Sequence, residues 1–498
     1  MHLIRFGWVS AAVFCGFLGV AKASSTGELM ATYPNPEPSP NALFGHAVVE
    51  LTFDALAVSA PGAWRNGHPE GAVYVIDSGS VVRLRIRRPE PQNVPWFGTS
   101  LAVDRRRLIV GDPRLGDPNS ERRNVGAVHV FDFPSGRHLR TVFPPDPREA
   151  DHFGETVLAQ GGRIFVTALG EARDRGAIHV HDGSTFEVVQ TLLAPQRGRI
   201  GFGRALDADG DLLVAGAPRA DLGGSTPSTG AVFVFDVTSG SLITTLRDPE
   251  PNAYAGFGSC AAITPGGLVV VGSERSGKAL LFQLRTGELR RTFLPPEGVR
   301  GAYGSFVASI ESQVYVGSSL GWIGIHEGPF DQLRAAFEPP DAETLSTSIS
   351  QGISLVARPG SYFFIGQPSV PADLENGETA RDSGAVYYVS GFGIGPSSRF
   401  LRGDANVDGR VNLADVIWIV AQLYRAGPPA FCEDAADAND DGRIDLADAL
   451  ALINFQFSYA VTLPELALEC GTDGRREDHL LCKGYSYCMQ IDLTWPPD

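Results

Sequence analysis

The sequence predicts a mainly β chain, a seven-bladed β-propeller with a small α-helical domain at its carboxyl end. Three observations carry this expectation. One pattern recurs seven times between residues 24 and 395. Gly and Pro number 58 and 35 of 498 residues without a collagen-like period, which places many short strands between tight turns. Composition then changes sharply at Arg402, where two acidic twelve-residue segments begin. A hydrophobic content of 43% and a charged content of 20% are globular and argue against wholesale disorder. Such a length exceeds what one ordinary core absorbs, so two or three domains are expected.

The repeats are read from three marks. An aromatic-Gly pair recurs as Phe44-Gly45, Phe97-Gly98, Phe153-Gly154, Phe202-Gly203, Phe257-Gly258 and Tyr303-Gly304, at spacings of 53, 56, 49, 55 and 46 residues. An apolar strand ending in Gly/Ala-x-Pro or a relic of it follows, as in Ala57 to Pro61, Ile109 to Pro113, Val214 to Pro218 and Phe364 to Pro368. A Gly-Ala-Val-x-Val element or a variant starts at Gly71, Gly126, Gly176, Gly230, Gly277, Gly321 and Gly384. In the seventh copy Gln351-Gly352 stands where the aromatic-Gly pair would be. Units of roughly fifty residues with several β-rich runs suit four-stranded propeller blades.

A ring of blades fails if its first and last units expose edges. Thr286 to Phe293 reads as the last strand of one blade, and Thr26 to Tyr33 repeats its Thr-Gly-Glu-Leu pattern ahead of the first aromatic-Gly pair. The last copy stops soon after its Gly384 strand. Residues 27–33 are therefore expected to complete the final blade.

This arrangement resembles the FG-GAP repeats of the integrin α-subunit propeller and related bacterial secreted proteins, over about three quarters of the chain. Calcium-binding blades of that family carry an Asp-x-Asp-x-Asp-Gly-type loop between their first two strands. Here that place holds short hairpins such as Asp104 to Arg107 and Gln160 to Arg163, and Asp207 to Asp211 is too short for a ligand loop. The propeller is expected to work without calcium. His129 and His179 fall in the slot of Tyr74 and Phe233 and read as structural strand positions. His179 and His181 would share a face, with no Asp, Glu or Cys nearby that completes a metal set. Cys260 reads as a buried small hydrophobe. No Gly-x-Ser-x-Gly, His-Glu-x-x-His, Cys-x-x-Cys or Walker pattern occurs.

Residues 1–23 read as a secretory signal, with Arg5, an apolar run from Trp8 to Val20 and the Ala21-Lys22-Ala23 cleavage site. A lipoprotein reading through Cys15 is weaker, because bulky Phe14 precedes it. The apolar run is too short to cross about 30 Å of hydrocarbon. Lys+Arg 41 against Asp+Glu 57 gives −16, with no basic block, which argues against nucleic-acid binding. Loss of Arg5 and Lys22 takes the mature chain to −18. Secretion to an extracellular or cell-surface location makes disulfides among Cys432, Cys470, Cys482 and Cys488 expected. Three pairings exist, of which Cys432–Cys470 with Cys482–Cys488 is favoured.

After a linker over residues 396–401, Asp404, Asn406, Asp408, Arg410, Asn412 and Asp415 occupy positions 1, 3, 5, 7, 9 and 12 of an EF-hand-type loop, with Gly409 at position 6. Asp437, Asn439, Asp441, Arg443, Asp445 and Asp448 repeat this 33 residues later around Gly442. Alternate oxygens at this spacing suit a hard cation, and each Arg at position 7 offers a backbone carbonyl. Two Ca2+ ions are expected. Each loop runs into an apolar helix, Asp415 to Tyr424 and Asp448 to Phe457, and no helix is expected ahead of either loop.

This duplicated loop–helix, with Asp at position 12, resembles a type I dockerin over residues 402 to about 459. The resemblance implies attachment to a cohesin-like module. In that family loop positions 10 and 11 help read the partner, commonly as Ser-Thr. Here they are Leu413-Ala414 and Leu446-Ala447. Arg402-Gly403-Asp404 spells an integrin-binding tripeptide but is discounted, since Asp404 would hold calcium. Residues 460–498 read as an irregular tail containing three of the cysteines, resting on this domain.

The leading expectation is a secreted, non-catalytic protein with a propeller face for a protein or glycan and a calcium-loaded attachment domain. The rival is a tethered polysaccharide-degrading hydrolase or lyase. Its acids and arginines would come from variable loops such as Asp117, Glu121, Arg122 and Arg123. Cell adhesion rests on fold resemblance alone.

Overall fold

The computed structural model describes residues 25–464, apart from 27, 53–54, 66, 78–79, 91, 93, 172–174, 224–225, 265, 311–312, 328–332, 340–353, 359–361, 375–378, 391–399, 407–409, 425–431 and 458–462. The signal segment, the Gln351-Gly352 pair and Cys470, Cys482 and Cys488 lie outside the described residues.

Seven four-stranded antiparallel sheets follow one another. In blade 2 the strands are Leu101–Asp104, Arg107–Asp112, Ala127–Asp132 and His138–Val142, in that spatial order. In each blade the middle two strands lie beneath neighbouring blades and read as near-continuous apolar runs. Ala127–Asp132 is buried through its first five residues. Fourth strands such as Val82–Ile86 are largely exposed. The first strand of every blade touches the first strand of the next, and blade 7 meets blade 1. The ring is closed around those seven strands.

The repeat motif is the joint between blades. Phe153 donates its amide to the Val125 carbonyl at 3.0 Å, and Gly126 bridges to Phe153 in parallel fashion. Gly126 has φ +86°, and a Cβ there would stand 2.2 Å from the Phe153 oxygen. Only glycine allows that approach. The ring of Phe153 is fully buried, as are those of Phe44, Phe97, Phe202 and Phe257. The same joint recurs between Gly384 and Phe44, so it also seals blade 7 to blade 1.

Closure follows the expected route. Glu28–Pro34 pairs antiparallel with Ala385–Ser390 as the outer strand of the seventh sheet, and Tyr33 lies opposite Val386. One strand goes beyond the expectation. Ser25–Thr26 runs parallel to Leu333–Phe337 and adds a fifth strand to blade 6. The amino-terminal stretch thus fastens two blades.

Beyond the ring, α1 (Leu413–Tyr424), the one-turn α2 (Glu433–Ala436) and α3 (Leu446–Phe457) form the small helical unit. Its core is Ala405, Val416, Ile419, Ala436, Ala449 and Leu452, joined by Leu463 from the following segment. No helix among the described residues is long and apolar enough to cross a membrane.

Candidate metal centre

Both acidic loops are shaped by their last residue. In the first, Asp415 accepts the amides of Asn406 at 3.1 Å and Asn412 at 2.8 Å. In the second, Asp448 accepts those of Asn439 at 3.2 Å and Asp445 at 2.8 Å. The position-12 carboxylate therefore gathers positions 3 and 9 of its own loop in each copy. Position 9 then starts the helix. The side chains of Asn412 and Asp445 accept the amides of Ala414 and Ala447, an N-cap arrangement. This corrects the expected helix starts at Asp415 and Asp448, because the capped helices begin at Leu413 and Leu446.

The carboxylates at positions 1 and 12 are buried in both copies, Asp404, Asp415, Asp437 and Asp448 being at most 1% exposed. Asp437 accepts the Asp441 amide at 3.1 Å and the Gly442 amide at 2.7 Å, where Gly442 takes φ +84°. Asp448 is pushed up to about 6, by burial first and by the adjoining Asp437 carboxyl, against the amides that stabilise its charge. Burial likewise raises Asp437. Asn439, Asn412 and Asn406 are half-buried, whereas Asp441, Asp445, Arg410 and Arg443 are exposed. Among the described residues no three acidic, His or Cys side chains already converge on one point. Asp408 lies outside the described residues. The donor set nevertheless fits a hard cation: buried carboxyls pressed against each other call for positive charge between them.

Two further residues tie the halves together. Arg402 is buried, donates to the Asp437 carbonyl at 2.9 Å and pairs with Asp440 at 3.2 Å. Gly403 donates to the Ala435 carbonyl at 2.7 Å. The Arg402-Gly403-Asp404 tripeptide is thus engaged inside the domain. The expectation of no helix ahead of the loops is corrected for the second copy. Cys432 caps α2 by accepting the Ala435 amide on its sulfur at 3.3 Å, so one helical turn leads directly into Asp437.

Residues 402–455 match the dockerin type I domain. Dockerin domains of this type bind calcium and imply a cohesin partner. The match covers the helical unit and leaves the propeller outside it. No curated protein matches the chain significantly. The propeller is similar to two solved structures. "Structure of U3-55K" is 15% identical, covering 72% of this chain and 97% of that one, with a TM-score of 0.48. "Crystal structure of RRP9 WD40 repeats" is 15% identical, covering 74% and 99%, with a TM-score of 0.49.

The residues at dockerin loop positions 10 and 11 are exposed: Leu413 by 48%, Leu446 by 46%, with Ala414 and Ala447 beside them. Each helix continues that face with further exposed apolar side chains at matching positions. They are Ile417 and Tyr424 on α1, Leu450 and Phe457 on α3. Sequence reasoning names positions 10 and 11 alone; apolar residues four and eleven places past each leucine, one and three helical turns on, are the signal that extends the face.

In the propeller, His129 and His179 are buried strand residues as expected, each holding a threonine and an acid. His129 meets Asp112 at 3.3 Å and Thr141 at 3.0 Å. His179 meets Glu171 at 2.5 Å and Thr191 at 3.2 Å. Glu171 is thereby the acid neighbour of His179. The Asp207–Asp211 segment is a hairpin, with Asp207 accepting the Ile263 amide of the next blade at 2.7 Å. Asp117 and Arg122 pair within their own loop at 3.9 Å. Cys260 is half-buried, its thiol pushed up to about 12 by burial and donating to the Gly304 carbonyl at 3.4 Å.

Proposed function

We propose that this chain is an exported attachment protein. Its propeller presents a face to a protein or glycan, and its dockerin domain, folded around two calcium ions, holds the molecule to a cohesin-like module. The observation that carries this reading is the repeated architecture of residues 404–415 and 437–448. In both, a buried position-12 carboxylate holds positions 3 and 9 in place. The ligands would be Asp404, Asn406, Asp408, the Arg410 carbonyl, Asn412 and Asp415, and their counterparts Asp437, Asn439, Asp441, the Arg443 carbonyl, Asp445 and Asp448. Calcium would neutralise carboxylates that otherwise repel, so its binding free energy becomes folding free energy for this module.

Leu413, Ala414, Leu446 and Ala447 would contact the partner. Because α1 and α3 offer the same apolar side chains, the partner can meet either helix. An apolar recognition pair in place of Ser-Thr points to an apolar complementary surface. Export through residues 1–23, the FG-GAP class of the blades and the Cys432–Cys470 and Cys482–Cys488 pairings belong to the same proposal. So do the boundaries at 395, 402 and 459.

The test is calorimetric titration of the chelated full chain with calcium, then with a panel of cohesin modules. Two ions per chain and calcium-dependent cohesin binding are expected. No calcium uptake at millimolar concentration would overturn the reading. A tethered polysaccharide-degrading enzyme is the second reading. A glycan array run beside a reducing-sugar release assay separates the two, since a platform binds without releasing sugar.

A further inference from the structure

The fourth strand of a blade has one edge free to pair with another chain, and such edges are ordinarily blunted by charge, proline or cover. Five of the seven fourth strands here are blunted. Val82–Ile86 carries Arg83 and Arg85, His138–Val142 carries Arg140, and Leu289–Phe293 carries Arg290 and Arg291. Leu333–Phe337 is covered by Ser25–Thr26, and Glu28–Pro34, which serves blade 7, opens on an acid and closes on a proline. Val188–Leu193 of blade 3 and Ser241–Leu246 of blade 4 contain no charged residue. A bulge in every fourth strand leaves one residue without a partner, and it sharpens the contrast. That residue is Arg83, Arg290 and Arg334 in blades 1, 5 and 6, but Leu139, Val189, Ile243 and Met30 in blades 2, 3, 4 and 7.

Of the two uncharged edges, that of blade 3 is the more open. Val188, Val189 and Leu193 are 38%, 61% and 40% exposed, whereas in blade 4 Leu242 alone is exposed and Ile243 packs against the core. The blade 3 strand is also held in place from behind, since Gln190 and Leu192 lie against Gly240 of the next blade. Ala194 donates its amide to the Gly176 carbonyl at 3.3 Å, so by antiparallel alternation Gln190, Leu192 and Ala194 turn their backbone groups toward the third strand. Thr191 and Leu193 then turn theirs outward, away from the sheet. Glu187 stands exposed just ahead of this strand and Arg197 stands exposed beyond its end.

A second copy of the chain meets these demands with the same strand. About a two-fold axis at Leu192, Thr191 of each copy pairs with Leu193 of the other in the antiparallel sense. The same operation brings the Glu187 end of one strand to the Arg197 end of the other, acid toward base. An edge bearing two arginines would set like charges together in such a pair, and this one does not. The contact is isologous, so it closes at two copies. That a blade of this ring accepts an added strand at its rim is seen at Ser25–Thr26 on blade 6. We propose that the chain forms a two-fold dimer in which the Val188–Leu193 edges of two copies pair antiparallel, joining two blade 3 sheets into one. This does not depend on what the propeller face binds. A dimer of this kind carries two dockerin domains and would engage a partner bearing several modules through both.

The experiment is sedimentation velocity of the full chain over a concentration series, with and without calcium. The wild type is expected to show a monomer–dimer equilibrium in the micromolar range, as suits a small interface, and to keep it in EDTA. Val189→Lys and Leu193→Lys should each weaken the dimer by about tenfold or more, because a charge on the edge opposes pairing. Both side chains are exposed, so the variants should keep the wild-type melting curve by circular dichroism. Leu242→Lys on the neighbouring edge should leave the dimer unchanged. Glu187→Arg should weaken it, and Glu187→Arg/Arg197→Glu should restore it. A wild type that stays monomeric at millimolar concentration overturns the proposal, as does a dimer that survives both Val189→Lys and Leu193→Lys. A dimer that dissociates on chelation runs through the dockerin domain and overturns it equally. An equal loss in Leu242→Lys, or a double reversal as weak as Glu187→Arg alone, refutes the assigned edge and its antiparallel pairing.

Discussion

Replacing Arg88 by methionine tests how the ring holds its first two blades together. Arg88 leaves the outer strand of blade 1 and reaches Asp112 of blade 2 through two bonds of 2.5 and 2.9 Å. Both side chains are essentially sealed from solvent, at 1% and 0% exposure. Burial alone would raise Asp112, but hydrogen bonds from His129 and Arg88 and the Arg88 charge outweigh it, and the carboxyl is held below its usual range. Removing one partner of such a pair costs about 3–5 kcal/mol, because the other charge is left buried. With about 2.1 cal/mol/K of unfolding entropy per residue over roughly 370 residues, a loss of about 4 kcal/mol lowers the melting temperature by about 5 °C.

The pH arm makes the test sharper. In the wild type the folded pKa of Asp112 lies below its unfolded value of about 3.9, so its contribution is present above that value and is lost as pH falls through the folded one. In Arg88→Met the remaining burial raises the carboxyl, so its penalty is largest at neutral pH and disappears on protonation. The gap between the two melting curves, followed by circular dichroism, should therefore narrow as pH falls toward about 4. Arg88→Met/Asp112→Asn should recover much of the loss. A gap that stays constant with pH, or that is under about 1 kcal/mol at pH 7, refutes the assignment of this pair as a buried electrostatic joint.

Chelation with EDTA should remove the helical signal of α1 and α3 and open the segment around residue 400 to protease, leaving the β signal of the propeller unchanged. Gly126→Ala forces a Cβ to 2.2 Å from the Phe153 oxygen at φ +86° and should cost about 1–3 kcal/mol in a denaturant melt. Leu413→Asp or Leu446→Asp alone should leave cohesin binding within a few-fold of wild type, while the double change abolishes it in a pull-down. Deleting residues 25–34 should cause loss of the cooperative propeller transition in calorimetry, since Ala385–Ser390 would become a bare edge.

Legibility in the sequence followed the range of each interaction. The seven units could be read because one steric demand, a glycine against the next blade's backbone, recurs at Gly126, Gly230 and Gly384. Closure could be read because Glu28–Pro34 performs the same task as Leu289–Phe293 and keeps its residue pattern. Ser25–Thr26 could not, since two residues carry no periodicity. The Arg88–Asp112 pair spans 24 residues and two blades, and no local rule joins them. The acidic loops were readable because the proposed ligands of each fall within twelve residues. The helix starts were misplaced by two, since Asn412 and Asp445 close the loop and cap the helix with the same side chain.

The manner of closure bears on how a tether would be loaded. The chain leaves the ring from Ala385–Ser390, which is the third strand of its sheet. That strand is hydrogen-bonded on one side to Tyr362–Gln367 and on the other to Glu28–Pro34. A pull transmitted from residue 402 toward the propeller therefore meets two ladders at once. Had the last strand in sequence been outermost, as in blades 1 to 5, the same pull would peel a single ladder from an exposed edge. The amino-terminal strand is further fixed by Ser25–Thr26 on blade 6, so it is anchored to a second sheet before any load arrives. A load entering the ring through Ala385–Ser390 thus draws on the strand that the closure protects best.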